Sequence, residues 1–201
     1  ITGATSGIGL ETAINLVRKG ASVHFIARNK TKAIGIRELL INEGSGRPCN
    51  FYIADLSSQE SIRAIIPLIK KDIKVIDVLI NNAGGVYQDF TLSKDGIEMT
   101  IATNHFSYFL LTNLLLDQIK ASKAGRIVNV SSGSNRHGKI NLESFTQNKS
   151  YQILRAYSQS KLANILFTKH LSELLKDDHV TVNCLHPGRV RTDIGKKNTG
   201  S

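Results

Sequence analysis

The sequence predicts an open α/β fold: a doubly wound sheet of parallel strands with helices on both faces, layered αβα. Three observations carry this. Strand-like and helix-like segments alternate along the whole chain. The strand-like segments are continuous apolar runs rather than half-polar alternations, as strands covered on both faces require. Apolar residues make up 41% and charged residues 21% of 201 residues, which suits one packed domain over 1–201 and does not suit disorder.

The elements follow in order. Ile1-Thr2-Gly3 reads as the end of a strand that begins earlier. Gly9–Lys19 carries Leu10, Ala13, Ile14 and Val17 at helical spacing and stops at Gly20. Ser22–Ala27 reads as a buried strand, Thr31–Glu43 as a helix closed by Gly44-Ser45-Gly46, and Asn50–Ala54 as the next strand. Ser58–Lys70 is helical with Ser57 or Ser58 as N-cap, and Val75–Ile80 is again a strand. Asp95–Ala121 is expected as one long helix, Arg126–Ser131 as a strand, Tyr151–Lys176 as a helix and Val180–Leu185 as the sixth strand. The polar stretch Ser132–Ser150 is expected to be a loop over a site, and Gly195–Ser201 a frayed tail. The chain stops soon after its sixth strand, so it looks truncated at both ends.

Composition excludes several classes. Sixteen Gly with only 3 Pro exclude collagen-like and Pro-rich chains. Two cysteines, Cys49 and Cys184, make neither a disulfide framework nor a four-ligand zinc site; both are expected on buried strands, as core. No apolar run reaches the roughly 18 residues that span a bilayer, and no signal-like segment opens the chain, so a reduced intracellular setting is expected. The net charge is +10, with 12 basic and 10 acidic groups in residues 1–100 against 14 and 6 in the rest. No five basic residues are consecutive, aromatics are 6% and Trp is absent, which argues against a nucleic-acid surface. The six histidines show no metal-binding spacing, so no metal is expected.

The first strand-to-helix junction is Thr2-Gly3-Ala4-Thr5-Ser6-Gly7-Ile8-Gly9, with glycines spaced G-x-x-x-G-x-G. In an open α/β sheet this turn brings backbone N–H groups and a positive helix end to a phosphate, and glycine keeps side chains out of its way. At the end of the second strand a carboxylate would bond a ribose 2′-hydroxyl. Ala27 is followed instead by Arg28, Asn29 and Lys30, so NADP(H) is expected over NAD(H).

Tyr157 and Lys161 lie four residues apart, so one helix face can present both to one cleft. A phenol near pKa 10 is a poor proton donor and acceptor at neutral pH, and a neighbouring ammonium is expected to lower that value. Ser132 follows the fifth strand at the ligand-binding end of the sheet and can donate to a carbonyl oxygen, with Ser131 as the competing candidate.

Thr2-Gly3-x-x-x-Gly7-Ile8-Gly9, Asn81-Asn82-Ala83-Gly84, Ser131-Ser132, Tyr157-x-x-x-Lys161 and Pro187-Gly188 stand in an order that resembles the short-chain dehydrogenase/reductase family. Asn104-His105-Phe106, Leu162-Ala163-Asn164 and His186-Pro187-Gly188 are similar to its retinol dehydrogenase branch. The resemblance covers essentially the whole chain. It implies a Rossmann fold and an NADP(H)-dependent oxidoreductase that interconverts an alcohol with a ketone or aldehyde of retinoid-, steroid- or other lipid-like character.

The resemblance further implies catalytic roles for Asn104, Ser132, Tyr157 and Lys161, with Tyr157 as general acid/base, Lys161 also on the nicotinamide ribose, and Asn104 distorting its helix. It implies cofactor contacts at Gly3, Thr5, Ser6, Gly7, Ile8, Gly9, Arg28, Asn29, Asp55, Leu56, Asn82, Ala83, Gly84, Pro187, Gly188 and Thr192. A homodimer through two long helices, and membrane association of the full-length chain in the cytoplasm or at the endoplasmic reticulum, fit the same relatives. A chain that binds NADP(H) without turnover is the alternative, since the segments that cover substrate in relatives are not in this sequence. A nucleotide-sugar epimerase shares Tyr-x-x-x-Lys but differs in glycine spacing.

Overall fold

Short β-branched and aromatic runs form the strands of the computed structural model, which describes residues 1–147, 150–188 and 190. β1 (Phe25–Ala27) pairs in parallel with β2 (Phe51–Ile53). β3 (Val78–Asn81) pairs in parallel with β4 (Gly125–Val130), and β4 with β5 (Val180–Leu185). The first residues join the two groups. Thr2 bridges Ile26, the Ile26 N–H donates to the Ile1 carbonyl at 3.1 Å, and the Thr2 N–H donates to the Ile80 carbonyl at 3.0 Å. The spatial order is therefore β2, β1, residues 1–3, β3, β4, β5. The winding reverses beside residues 1–3, where open α/β sheets bind their ligands.

The helices cover both faces. α1 (Gly7–Arg18) and α2 (Lys30–Glu43) bring Ala13, Val17, Ala33 and Leu40 against Phe25 and Ala27. α3 (Gln59–Asp72), α4 (Met99–Ile101), α5 (Ser107–Leu114), α6 (Leu116–Lys120) and α7 (Ile153–Leu174) complete the helices in chain order. Ile62, Ile65, Ile66 and Ile69 of α3, Leu111 of α5, Ile119 of α6 and Phe167 and Leu171 of α7 share one core with Ile26, Leu79 and Ile127. Alternation along β1 thus sends Phe25 and Ala27 to one layer and Ile26 to the other. In α3 the isoleucines recur at i, i+3, i+4 and i+7, and Ser58 caps the helix by accepting from the Ser61 N–H at 3.3 Å.

The structure refines the sequence expectation in several places. The helix expected over 95–121 begins only at Met99: Gly96 takes φ +72°, Leu92 bridges Glu98, and the Glu98 carboxylate accepts from the Thr100 and Ile101 N–H groups. That helix also carries a π-helical turn over Ala102–Phe106, the distortion at Asn104 that the resemblance implies, and it changes again at Leu115, whose N–H is shared between the Leu111 and Thr112 carbonyls. β1 and β3 are shorter than their apolar runs, because only residues facing β2 and β4 find ladder partners. The stretch 132–150 holds 3₁₀ turns at Gly133–His137 and Leu142–Phe145; Cys49 is buried but lies ahead of β2 rather than on a strand, and Cys184 lies on β5 but is only half-buried. Residues 195–201 lie outside the described residues.

Candidate active site

The turn from residues 1–3 into α1 is closed to side chains. Gly3 and Gly7 take φ of +71° and +57°, a region that favours glycine. A Cβ on Gly9 would overlap the Gly3 carbonyl oxygen and the Asn82 amide, and one on Gly3 would stand 2.9 Å from the Ala83 Cα. Thr2 fastens the turn to the end of β3: its hydroxyl oxygen accepts from the Asn82 and Ala83 N–H groups, both at 2.9 Å, and its carbonyl accepts from the Asn82 amide at 3.0 Å. The first turn of α1 holds no acidic residue, so its N–H groups and positive dipole end suit an anion.

From this turn a cleft of about 270 Å³ runs along the strand ends. Gly3, Thr5, Ser6, Gly7, Ile8 and Gly9 form one end. Arg28, Asp55 and Leu56, which follow β1 and β2, line the outer side, with Arg28 and Asp55 exposed. Asn82, Ala83 and Gly84 after β3 form the floor, and Ser132, Tyr157, Lys161, Pro187 and Gly188 the far end. Asn29 does not line the cleft; its side chain accepts from the Lys32 N–H at 2.9 Å and caps α2. Thr192 lies outside the described residues.

The far end is built by α7 crossing the end of β4. The Lys161 Nζ is buried and donates to the Val130 carbonyl at 3.0 Å, while the Ser131 hydroxyl donates to the Lys161 carbonyl at 2.8 Å. Ser131 is therefore committed to holding the helix. Ser132 lines the cleft beside Tyr157; its hydroxyl accepts from the Ser134 N–H and donates to the Ser134 hydroxyl, both at 3.3 Å. The ammonium lies 5.7 Å from the Tyr157 ring centre and 5.8 Å from that of Tyr108, in the range of cation–π attraction.

Burial sets the electrostatics. It brings the Lys161 ammonium from 10.5 down to about 8, so the amine still carries its proton at neutral pH. It also raises the Tyr157 phenol above its usual value, with the Ser132 hydrogen bond pulling the other way. The expected lowering by the ammonium does not govern this geometry. Lys161 is aimed at the Val130 carbonyl, and the loss of water around the phenol is opposed by the Ser132 hydroxyl.

Asn104 is fully buried within the π-helical turn, behind the cleft floor rather than on it. Its Oδ1 accepts from the Gly85 N–H at 2.8 Å, and its Nδ2 donates to the Gly85 carbonyl and the Ser160 hydroxyl, both at 3.0 Å. Ser160 in turn donates to the Tyr157 carbonyl at 2.7 Å. A Cβ on Gly84 would meet the Asn104 Oδ1 at 3.1 Å and the Lys161 Nζ at 3.6 Å, so these two side chains close on Gly84 together. Asn81, at the end of β3, ties that strand to Asn129 on β4 at 2.9 Å and to Thr112 on α5 at 3.0 Å.

Sequence reasoning passed over several contributors. Tyr108, buried and donating to the Ala83 carbonyl at 2.8 Å, backs the floor; nothing in its local pattern sets it apart from a core residue. Thr2 and Ser160 act through distant partners. Tyr87, Thr103 and His186 also line the cleft, and only the motif His186-Pro187-Gly188 hinted at the last. Among the described residues no three His, Cys, Asp or Glu side chains converge as metal ligands, and no helix is long and apolar enough to cross a membrane.

The family model for short chain dehydrogenase matches residues 1–200. Retinol dehydrogenase 14 of Mus musculus is 43% identical over 206 aligned positions, which cover 98% of this chain and 62% of the relative. This chain thus spans about three fifths of that relative's length. Among solved structures, an uncharacterized protein from Mycobacterium paratuberculosis superposes with a TM-score of 0.83 at 36% identity, covering 97% of this chain and 69% of that one. A short-chain dehydrogenase from Sphingobium yanoikuyae, solved in complex with NADPH, superposes with a TM-score of 0.78 at 26% identity, covering 96% and 71%.

Proposed function

Because the chain belongs to the short-chain dehydrogenase family, we propose that it is the dinucleotide-binding part of an NADP(H)-dependent oxidoreductase that interconverts an alcohol with a ketone or aldehyde. The observation that carries this reading is the single cleft shared by the glycine turn, Ser132, Tyr157 and Lys161.

The residues present fit a dinucleotide. Gly3 and Gly9 keep open the space that a Cβ would fill, and the N–H groups at the start of α1 suit the pyrophosphate. Arg28 would pair with a 2′-phosphate by charge-assisted hydrogen bonds; the NADPH complex of the Sphingobium yanoikuyae relative supports this choice. Leu56, Ala83 and Gly84 would flank the adenine and ribose, and Lys161 the second ribose. When bound, the nicotinamide supplies or takes the hydride.

In the reducing direction the Tyr157 phenol gives its proton to the carbonyl oxygen of the substrate. Ser132 donates a hydrogen bond to the same oxygen as negative charge develops there. Lys161, still cationic at neutral pH, stabilises the phenolate left on Tyr157. Asn104 holds Gly85 and Ser160, and so acts as a positioning residue. The relatives' name supports a hydrophobic, retinoid-like substrate. Exposed Phe109 on α5 and Leu166 on α7 support a homodimer through these helices.

The test uses NADPH fluorescence on the full-length protein, first for binding and then for loss of signal with a panel of aldehydes and ketones. The chain itself adds no indole background, since it contains no Trp. Binding followed by carbonyl-dependent loss is expected; binding with no loss for any carbonyl leaves only a nucleotide-binding role.

A further inference from the structure

Asn164 is fully buried on α7, facing Asn104 and His105 of the π-helical turn. A buried amide in such a place costs stability unless both its ends are bonded. Both are. Its Nδ2 donates to the Asn104 carbonyl at 2.9 Å, and its Oδ1 lies 3.1 Å from the His105 Nδ1. The orientation follows from the chemistry. A carbonyl can only accept, so the amide nitrogen faces Asn104; the amide oxygen then faces His105, whose Nδ1 must carry the proton.

These contacts fall on the π-helical turn Ala102–Phe106. A π-helical turn breaks the regular i to i−4 ladder and is held by what packs on it. Asn164 lies on the same helix stripe as Tyr157, Ser160 and Lys161, at spacings of three and four residues. That stripe grips the turn twice: Ser160 holds the Asn104 side chain at 3.0 Å, and Asn164 holds its backbone. We propose that Asn164 is a positioning residue for catalysis: by holding the Asn104 carbonyl it fixes the π-helical turn, and with it the Asn104 amide that closes on Gly84 and Gly85 beside Lys161. The proposal rests on the oxidoreductase reading above for its catalytic consequence, but not for the positioning itself.

Two variants of the full-length protein test it. Asn164→Asp keeps the size of the side chain and the acceptor toward His105, but sets a carboxylate oxygen against the Asn104 carbonyl; when that carboxyl is protonated it can donate again. Asn164→Leu removes both bonds. The titratable groups nearest this position are His105 and, one turn back on α7, Lys161.

The first readout is amide hydrogen exchange without added ligand. Exchange across residues 102–108 is expected to rise about fivefold in Asn164→Asp at pH 8, the effect of losing one hydrogen bond, and by more in Asn164→Leu, which loses two, while β4 stays unchanged. The second is turnover: Asn164→Asp is expected to lose about tenfold in kcat at pH 8 and to recover toward wild type at pH 6, with NADPH affinity held within about threefold. Unchanged exchange in the turn overturns the proposal. So does a kcat loss that is equal at every pH and follows the fall in Tm. Should Asn164→Leu fail to fold, the pH-dependent recovery of Asn164→Asp decides alone. Should the wild type show no turnover, the oxidoreductase reading fails while the exchange result still judges the positioning.

Discussion

Lys161 and Val130 are joined by a 3.0 Å hydrogen bond from the buried ammonium to the last carbonyl of β4. The Ser131 hydroxyl returns a bond to the Lys161 carbonyl at 2.8 Å. Bonds in both directions clip α7 to the strand end, and Tyr157, one turn earlier on the same face, is carried over the cleft with them. A buried cation held by a neutral carbonyl remains costly to the fold, and that cost is measurable.

Replacing Lys161 by Met is expected to leave the protein at least as stable as wild type at pH 7. Below pH 8 the lysine is protonated in both folded and unfolded states, and the folded state bears the whole desolvation cost. Between about 8 and 10.5 the unfolded chain binds more protons, so wild-type stability rises with pH across that window. The variant's advantage at pH 7 is at most roughly 3 kcal/mol, less the bond to Val130, and shrinks toward pH 10.5. Urea denaturation at pH 7 and pH 10 measures it; a gap that does not change with pH contradicts the assignment.

Tyr157→Phe keeps the ring under the Lys161 cation and removes only the hydroxyl. Turnover is expected to fall by about 100-fold or more, the usual contribution of a positioned acid. NADPH affinity should stay within about threefold, because the phosphates are held elsewhere. Single-turnover kinetics and a fluorescence titration measure the two quantities; a larger loss of affinity than of rate would falsify the proton-transfer role.

Gly9→Ala places a methyl group on the Gly3 carbonyl and the Asn82 amide, neither of which can retreat without breaking the tie to Thr2. A loss of about 1–3 kcal/mol in stability is expected, with weaker dinucleotide binding. Thermal unfolding with and without NADPH reads both. Gly35, whose Cβ would meet nothing within 4 Å, is the control, and Gly35→Ala is expected to be neutral or slightly stabilising.

Arg28→Ala should weaken NADPH by about tenfold and leave NADH nearly untouched, the selectivity expected of one charge-assisted phosphate contact. Paired titrations with the two dinucleotides at one ionic strength decide the matter, and equal weakening of both sinks the 2′-phosphate assignment.

Much of this protein is local, and local features are legible in a sequence. Helical spacing located α1, α2, α3 and α7 to within a few residues, because an apolar stripe repeats wherever a helix is buried on one side. The glycine turn was legible for a similar reason: backbone conformations open only to glycine leave glycine behind. Helix pitch places Tyr157 and Lys161 on one face, and the glycine turn, Ser132 and the family resemblance mark that face as a site.

Other features arise from contacts between segments far apart in the chain, and no spacing encodes them. The resemblance implied a distortion of the helix at Asn104, but not its partners: Gly85, Ser160 and Asn164 take its polar groups across gaps of 19 to 60 residues. The division of labour between Ser131 and Ser132 follows from which hydroxyl faces the Lys161 carbonyl. The sign of the Tyr157 shift likewise depended on how much water the fold removes around the phenol. The sequence by itself determined the glycine turn and the helix stripe of Tyr157 and Lys161, because steric exclusion and helical pitch act residue by residue, and its family resemblance supplied most of the other cleft residues. Only the tertiary structure decided how those groups are bonded and charged, because hydrogen-bond partners and desolvation are properties of the packed whole.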